Sequence, residues 1–216
     1  PQQDVHNTFE LEQTVMTMVR KGDTAALREW IKAAPAVRGG IVAAEQLRQM
    51  ENTFIVSVTL ASRAAIRGGA DRLELCSALA IGGLTPYPEL LRQIRKESDI
   101  PIRCLMRPRG GDFLYTPEEI QQMVMEMEAL KKAGADGFVI GCLTADGDLD
   151  VDAMKPLLEA AEGAELTLHR CIDVSRDLCK TYRDAAALGI DTILTSGGAG
   201  NCLGGMETIR QLIRLR

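Results

Sequence analysis

Short apolar runs alternate with amphipathic helical stretches in this chain, and successive runs recur about every thirty residues, a rhythm that belongs to parallel βαβ units. The runs are Phe54–Val58, Arg72–Cys76, Ile102–Met106, Gly137–Gly141, Leu166–Arg170 and Thr192–Thr195. Each is too short for a helix. Helical patterns fill the intervals at Glu89–Glu97, Pro117–Ala133, Val151–Ala161 and Leu178–Leu188, and a last one follows at Met206–Leu215. The triplets Gly69-Ala70-Asp71 and Gly134-Ala135-Asp136, with the near copy Gly189-Ile190-Asp191, set a glycine just past a helix and an aspartate just before the next strand. That placement suits the repeated αβ turns at one end of a barrel.

A doubly wound sheet has the same rhythm, but it carries a glycine-rich phosphate turn after its first strand, and none follows Val58. The expected fold is therefore α/β, an incomplete TIM-like (β/α) barrel of about six parallel strands. At about thirty residues per unit, Phe54 to Arg216 holds between five and six of the eight units of a closed barrel. Open strand edges follow from that count, and they predict self-association into a homo-oligomer or marginal stability.

Ahead of the barrel, residues 1–52 read as a short helical N-terminal segment, with Leu11, Val15 and Met18 at helical spacing and Asp23 as a helix N-cap. Residues 53–216 form the barrel region.

Composition restricts the function classes. There are 25 Lys+Arg against 30 Asp+Glu, a formal net charge of -5, and no basic run able to neutralise a row of phosphates, so no nucleic-acid partner is expected. No apolar stretch approaches the roughly 18 residues that span a bilayer. The start lacks a basic and apolar leader pattern, so no membrane partner and a cytoplasmic location are expected. The six cysteines stand singly without a C-x-x-C pair, which is neither a disulfide framework nor a zinc ribbon.

Reactive groups in parallel βα proteins gather at the C-terminal ends of the strands. Here those positions carry Glu74 and Cys76, then Arg107 and Arg109, then Cys142 and Thr144, then His169, Arg170 and Asp173, and finally Thr195 and Ser196. Glu74 sits in an otherwise apolar run, where a carboxylate needs a cation as partner. The segment Met106-Arg107-Pro108-Arg109-Gly110-Gly111-Asp112-Phe113-Leu114-Tyr115 offers two guanidinium forks to a carboxylate or phosphate. His169, the barrel region's only histidine, is placed to act as a base or metal ligand. These features nominate Glu74, His169 and Asp173 as catalytic groups. Arg107, Arg109, Thr195 and Ser196 are nominated to bind a small anionic metabolite.

Several blocks, in this order, resemble the signature segments of the CutC copper homeostasis family: Gly68–Ser77, Gly82–Pro86, Arg107–Tyr115, Gly134–Gly137, Leu143–Gly147, His169–Asp173 and Leu194–Gly197. The resemblance implies a TIM barrel and cytosolic copper handling, with Cys76 matching the family's cysteine at the end of strand two and serving as a Cu(I) ligand, copper being the implied cofactor. Soft thiolates do select Cu(I). The family's first strand reads Glu-Val-Cys, and ungapped counting puts Ile55 in the place of that second cysteine. Measured against the family, the chain also stops before the last two βα units. Residues from about Glu10 to Ile66 resemble an internal helical segment of AraC-type transcriptional regulators through Asn52–Val56 and Ser62–Gly69, without the DNA-binding part. The two resemblances meet at Arg67-Gly68-Gly69 and read as a fused or recombined frame.

Overall fold

The computed structural model describes residues 8–33, 64, 68–96 and 98–215. The run Phe54–Val58 and residues 34–52 of the N-terminal segment lie outside these residues. The other five apolar runs are strands: β1 (Leu73–Leu75), β2 (Ile102–Leu105), β3 (Gly137–Ile140), β4 (Glu165–Leu168) and β5 (Thr192–Ile193). They form one sheet whose order follows the chain, and the pairs β2–β3, β3–β4 and β4–β5 are parallel. A doubly wound sheet reverses its order at a switch point. This sheet does not, and the fold is a TIM-like α/β arrangement.

The chain divides into two compact units, one comprising Pro1–Leu73 with Arg92–Ile100 and the other Glu74–Leu91 with Pro101–Arg216. The first unit holds α1 (Thr8–Lys21) and α2 (Thr24–Ala33). Asp23 starts α2 by accepting the N–H of Ala26 at 2.9 Å, the cap expected from the sequence.

After α3 (Pro88–Arg95), the second unit follows the repeat. Its crossover helices are α4 (Pro117–Ala133), α5 (Val151–Ala161) and α6 (Leu178–Ala187), and α7 (Met206–Arg214) comes last. Thr116 and Glu119 form a reciprocal capping box at the start of α4, while Asp150 and Asp177 cap α5 and α6. The repeated aspartates have a structural duty. Asp136 Oδ2 accepts the N–H of Ile102 at 2.7 Å and Asp191 Oδ2 accepts that of Leu166 at 2.7 Å. Asp136, just before β3, thus holds the first N–H of β2, and Asp191, just before β5, holds the second N–H of β4, which ties each strand to the start of the preceding one.

Arg103 on β2 shows that the sheet curls. Its Nη1 donates to Thr167 on β4 at 2.5 Å and to Thr192 on β5 at 3.0 Å, and its Nη2 meets Glu165 at 2.6 Å. In a flat sheet β2 and β5 would stand about 14 Å apart, three spacings of about 4.8 Å, beyond the reach of one arginine. Barrel-like curvature brings the strands within its span. Phe138, Val139 and Ile140 on β3 are buried on both faces, as a parallel sheet covered by helices requires. Among the described residues, no helix is long and apolar enough to cross a membrane.

Candidate functional site

A cavity of about 500 Å³ lies at the C-terminal ends of the strands, lined entirely by residues of the second unit. All five strands or their following loops contribute: Glu74, Cys76 and Gly82 from the first, Leu105 and Arg107 from the second, Val139 from the third, His169, Arg170, Asp173 and Val174 from the fourth, and Leu194 from the fifth. Five of the eight nominated residues, Glu74, Cys76, Arg107, His169 and Asp173, therefore share one cavity. Arg109, Thr195 and Ser196 are not part of its lining.

Arg107 is 7% exposed and held by main-chain carbonyls. Its Nη1 donates to Ile81 O at 3.1 Å and Gly83 O at 3.0 Å, and its Nη2 to Gly111 O at 2.9 Å. Among the described residues no carboxylate forms an ion pair with it, and its buried Nε has no hydrogen-bond partner. The guanidinium lies 5.2 Å from the centroid of the Phe113 ring, whose centroid is 4.7 Å from that of the His169 imidazole. Phe113 thus touches both the cation and the imidazole.

His169 is expected from the sequence within a strand, but β4 ends at Leu168. His169 instead opens the short 3-10 turn Arg170–Val174 and caps it, Nδ1 accepting the main-chain N–H of Cys171 at 3.2 Å. An N–H can be accepted only by a ring nitrogen with a free lone pair, so the proton of the neutral ring sits on Nε2. Nε2 is buried and has no partner among the described residues. Burial, helped by the charge of Arg107, pushes the imidazole pKa down to about 3, so the ring is neutral at physiological pH. Gly141 makes room for it: a Cβ there would stand 2.5 Å from Cys171 Sγ and 2.8 Å from His169 Nδ1.

Asp173 is the most heavily hydrogen-bonded carboxylate of the rim. It accepts from Thr195 Oγ1 at 2.6 Å, Gly198 N at 2.9 Å, Ser196 N at 3.0 Å and Arg170 Nε at 2.8 Å. Burial pushes its pKa up, but these donors outweigh it and hold the carboxyl below the ordinary range. Arg170 also donates to Ser196 Oγ at 2.5 Å. Thr195 and Ser196 hold Asp173 in place from outside the cavity.

Two nominated residues sit differently from their sequence expectation. Glu74 is exposed within β1, so it is not a buried carboxylate in want of a cation. Arg109 turns away to Glu119 at 2.5 Å, Asp112 at 2.9 Å and Leu114 O at 2.7 Å, with its guanidinium 5.3 Å from the Tyr115 ring. Its hydrogen bonds to Glu119 and Asp112 raise its own pKa and lower theirs. It anchors the loop to the start of α4.

Cys76 is half-buried on the cavity wall, its thiol pKa raised by burial and then by the charge of Glu74. Cys142 is buried and pushed up to about 12 by desolvation and Asp150, and Cys171 is raised by burial and by Cys142. Among the described residues no group of three or more His, Cys, Asp or Glu side chains is placed to hold a metal ion. The fit to copper is one thiol at the cavity, beside an imidazole whose lone pair is already committed.

The sequence places Arg170 on the rim without assigning it a role, and it gives Phe113 none. The signal for Phe113 was an aromatic in a glycine-bearing loop directly after a strand. That for Arg170 was its spacing of three from Asp173.

A family model described as the CutC family matches residues 53–216. Residues 53–66, part of the stretch expected to resemble AraC-type regulators, fall inside that match. A CutC family protein of Xylella fastidiosa (strain Temecula1) is 45% identical over 150 residues, covering 69% of this chain and 56% of that protein. A protein of Caenorhabditis elegans named copper homeostasis protein cutC homolog is 40% identical over 172 residues, covering 79% and 69%. The chain thus spans little more than half the length of the Xylella relative. The crystal structure of a Streptococcus agalactiae CutC superposes with a TM-score of 0.64 at 30% identity, covering 67% of this chain and 72% of that one.

Proposed function

The chain belongs to the CutC family, and from that premise we propose that it serves copper homeostasis in the cytosol, receiving Cu(I) as cargo at Cys76. The observation that carries this reading is the position of Cys76: its thiol is half-buried on the cavity wall, whereas Cys104, Cys142 and Cys171 are buried. Cu(I) favours soft thiolate and thioether ligands. Since the described residues supply one such thiol at the cavity, the second ligand comes from the molecule that delivers the ion, and the site exchanges copper instead of storing it. Titration of Cu(I) against a competing chelator tests the assignment. The wild-type chain is expected to bind more weakly than a two-cysteine site would, and Cys76→Ser to lose that binding. Tight stoichiometric binding that survives Cys76→Ser overturns it.

A second reading is supported by the unneutralised Arg107: a barrel enzyme acting on a small anionic metabolite, phosphorylated or carboxylate. A ligand present at a hundred times its dissociation constant adds about 2.7 kcal/mol of stability, which a thermal melt resolves. If no small anion shifts the melt, this reading is wrong.

A further inference from the structure

Among the described residues, two buried hydrogen-bond donors on the cavity's lining residues have no acceptor: Nε of Arg107 and Nε2 of His169. A buried donor left unpaired costs about 1–3 kcal/mol, and both residues line one cavity, where a ligand can supply the acceptors. The imidazole cannot supply one, because its free lone pair is spent on the N–H of Cys171. Asp173 is engaged elsewhere, by Thr195, Ser196, Gly198 and Arg170.

We infer that His169 is a hydrogen-bond donor through Nε2–H, neither base nor metal ligand in its resting state, and that together with Arg107 it receives the oxygens of a small monocarboxylate with an apolar body. This rests on the second reading above, that the cavity takes a small anion. The charge of the ligand follows from its surroundings. Arg170 is paired with Asp173 at 2.8 Å, which leaves the single positive charge of Arg107 to be balanced, while Glu74 and Asp173 disfavour a second negative charge. The apolar body follows from the walls, where Leu105, Val139, Val174 and Leu194 face the space beside Phe113. Gly141 lets the ring sit where it does, since a Cβ there would stand 2.6 Å from His169 Cε1 and 2.8 Å from its Nδ1. A neutral imidazole donating to a carboxylate or carbonyl oxygen polarises it without a change of protonation.

The chain has two histidines, so His6→Gln leaves the imidazole of His169 as the only one, with the cavity intact. Long-range 15N–1H correlation spectra of this full-length variant at pH 7 are expected to show a neutral ring protonated on Nε2. Hexanoate is expected to shift that Nε2 resonance and raise the melting temperature, inorganic phosphate to do neither, and Arg107→Ala to weaken hexanoate binding by roughly tenfold or more. A ring protonated on Nδ1 or on both nitrogens overturns the donor role, and hexanoate binding in that case leaves the anion reading standing. A response to phosphate but not to hexanoate overturns the monocarboxylate class alone. Silence to both anions overturns this inference and the anion reading together.

Discussion

Asp173 accepts a 2.6 Å hydrogen bond from the hydroxyl of Thr195, joining the loop after β4 to the segment after β5. With Ser196 N, Gly198 N and Arg170 also donating to the carboxylate, this cluster braces one side of the cavity mouth. Its carboxyl titrates below the ordinary value of about 3.9. A depressed folded-state pKa contributes stability above the unfolded value that is lost as pH falls towards the folded one. Melts of the wild-type chain are therefore expected to lose stability below about pH 4 through this group, and Asp173→Asn to flatten that loss. At pH 7 the same variant is expected to melt lower, since hydrogen bonds to a charged group contribute about 1.5–3 kcal/mol each.

His169 has its own, higher window. With a folded pKa of about 3 and an unfolded value of about 6.5, only the unfolded chain takes up the proton between those values. Stability falls as pH drops from about 6.5 towards 3. His169→Gln removes this dependence, which a comparison of urea midpoints at pH 7 and pH 5 detects; identical slopes in both proteins would mean that the imidazole is not buried as a neutral ring.

The thiol of Cys76 must lose its proton to meet copper, and burial together with Glu74 raises its pKa. Apparent Cu(I) affinity is therefore expected to rise with pH above neutrality. Glu74→Gln, which removes the second cause, is expected to strengthen binding at pH 7. Chelator competition at two pH values reads both effects.

Arg107 and Arg109 stand two residues apart and are expected to behave oppositely. Arg109→Ala should loosen the loop held to Glu119 and Asp112 and lower the melting temperature, yet retain stabilisation by a cavity ligand. Arg107→Ala should lose that stabilisation. Equal ligand-induced shifts in both variants would remove Arg107 from the site.

Gly141→Ala forces a methyl group against Cys171 Sγ and His169 Nδ1, at 2.5 Å and 2.8 Å before relaxation. Overpacking of this kind costs about 1–3 kcal/mol, or roughly 2–4 °C per kcal/mol for a chain of this size. The variant is also expected to disturb the nitrogen resonances of His169.

Much of the framework was legible from local pattern. The β-branched runs, the helical spacing and the glycine-aspartate punctuation placed the five described strands and α4 to α7 within a residue or two, because these signals act over one or two turns of chain. The two-residue difference at β4 matters most, because its end at Leu168 releases His169 and Arg170 into a turn.

Long-range packing settled the rest. Arg107 and Arg109 are alike in sequence, and only the return of Gly83 and Gly111 beneath one and of Glu119 beside the other assigns the first to the cavity and the second to a helix start. The tautomer of His169 depends on a main-chain N–H two residues on, in a turn that no periodicity predicts. Phe113 reaches Arg107 and His169 because the curled sheet brings together segments more than fifty residues apart. Such convergence is a property of closed curvature, and hydrophobic period, which reports only the side of an element that is buried, carries no record of which rim residues will meet.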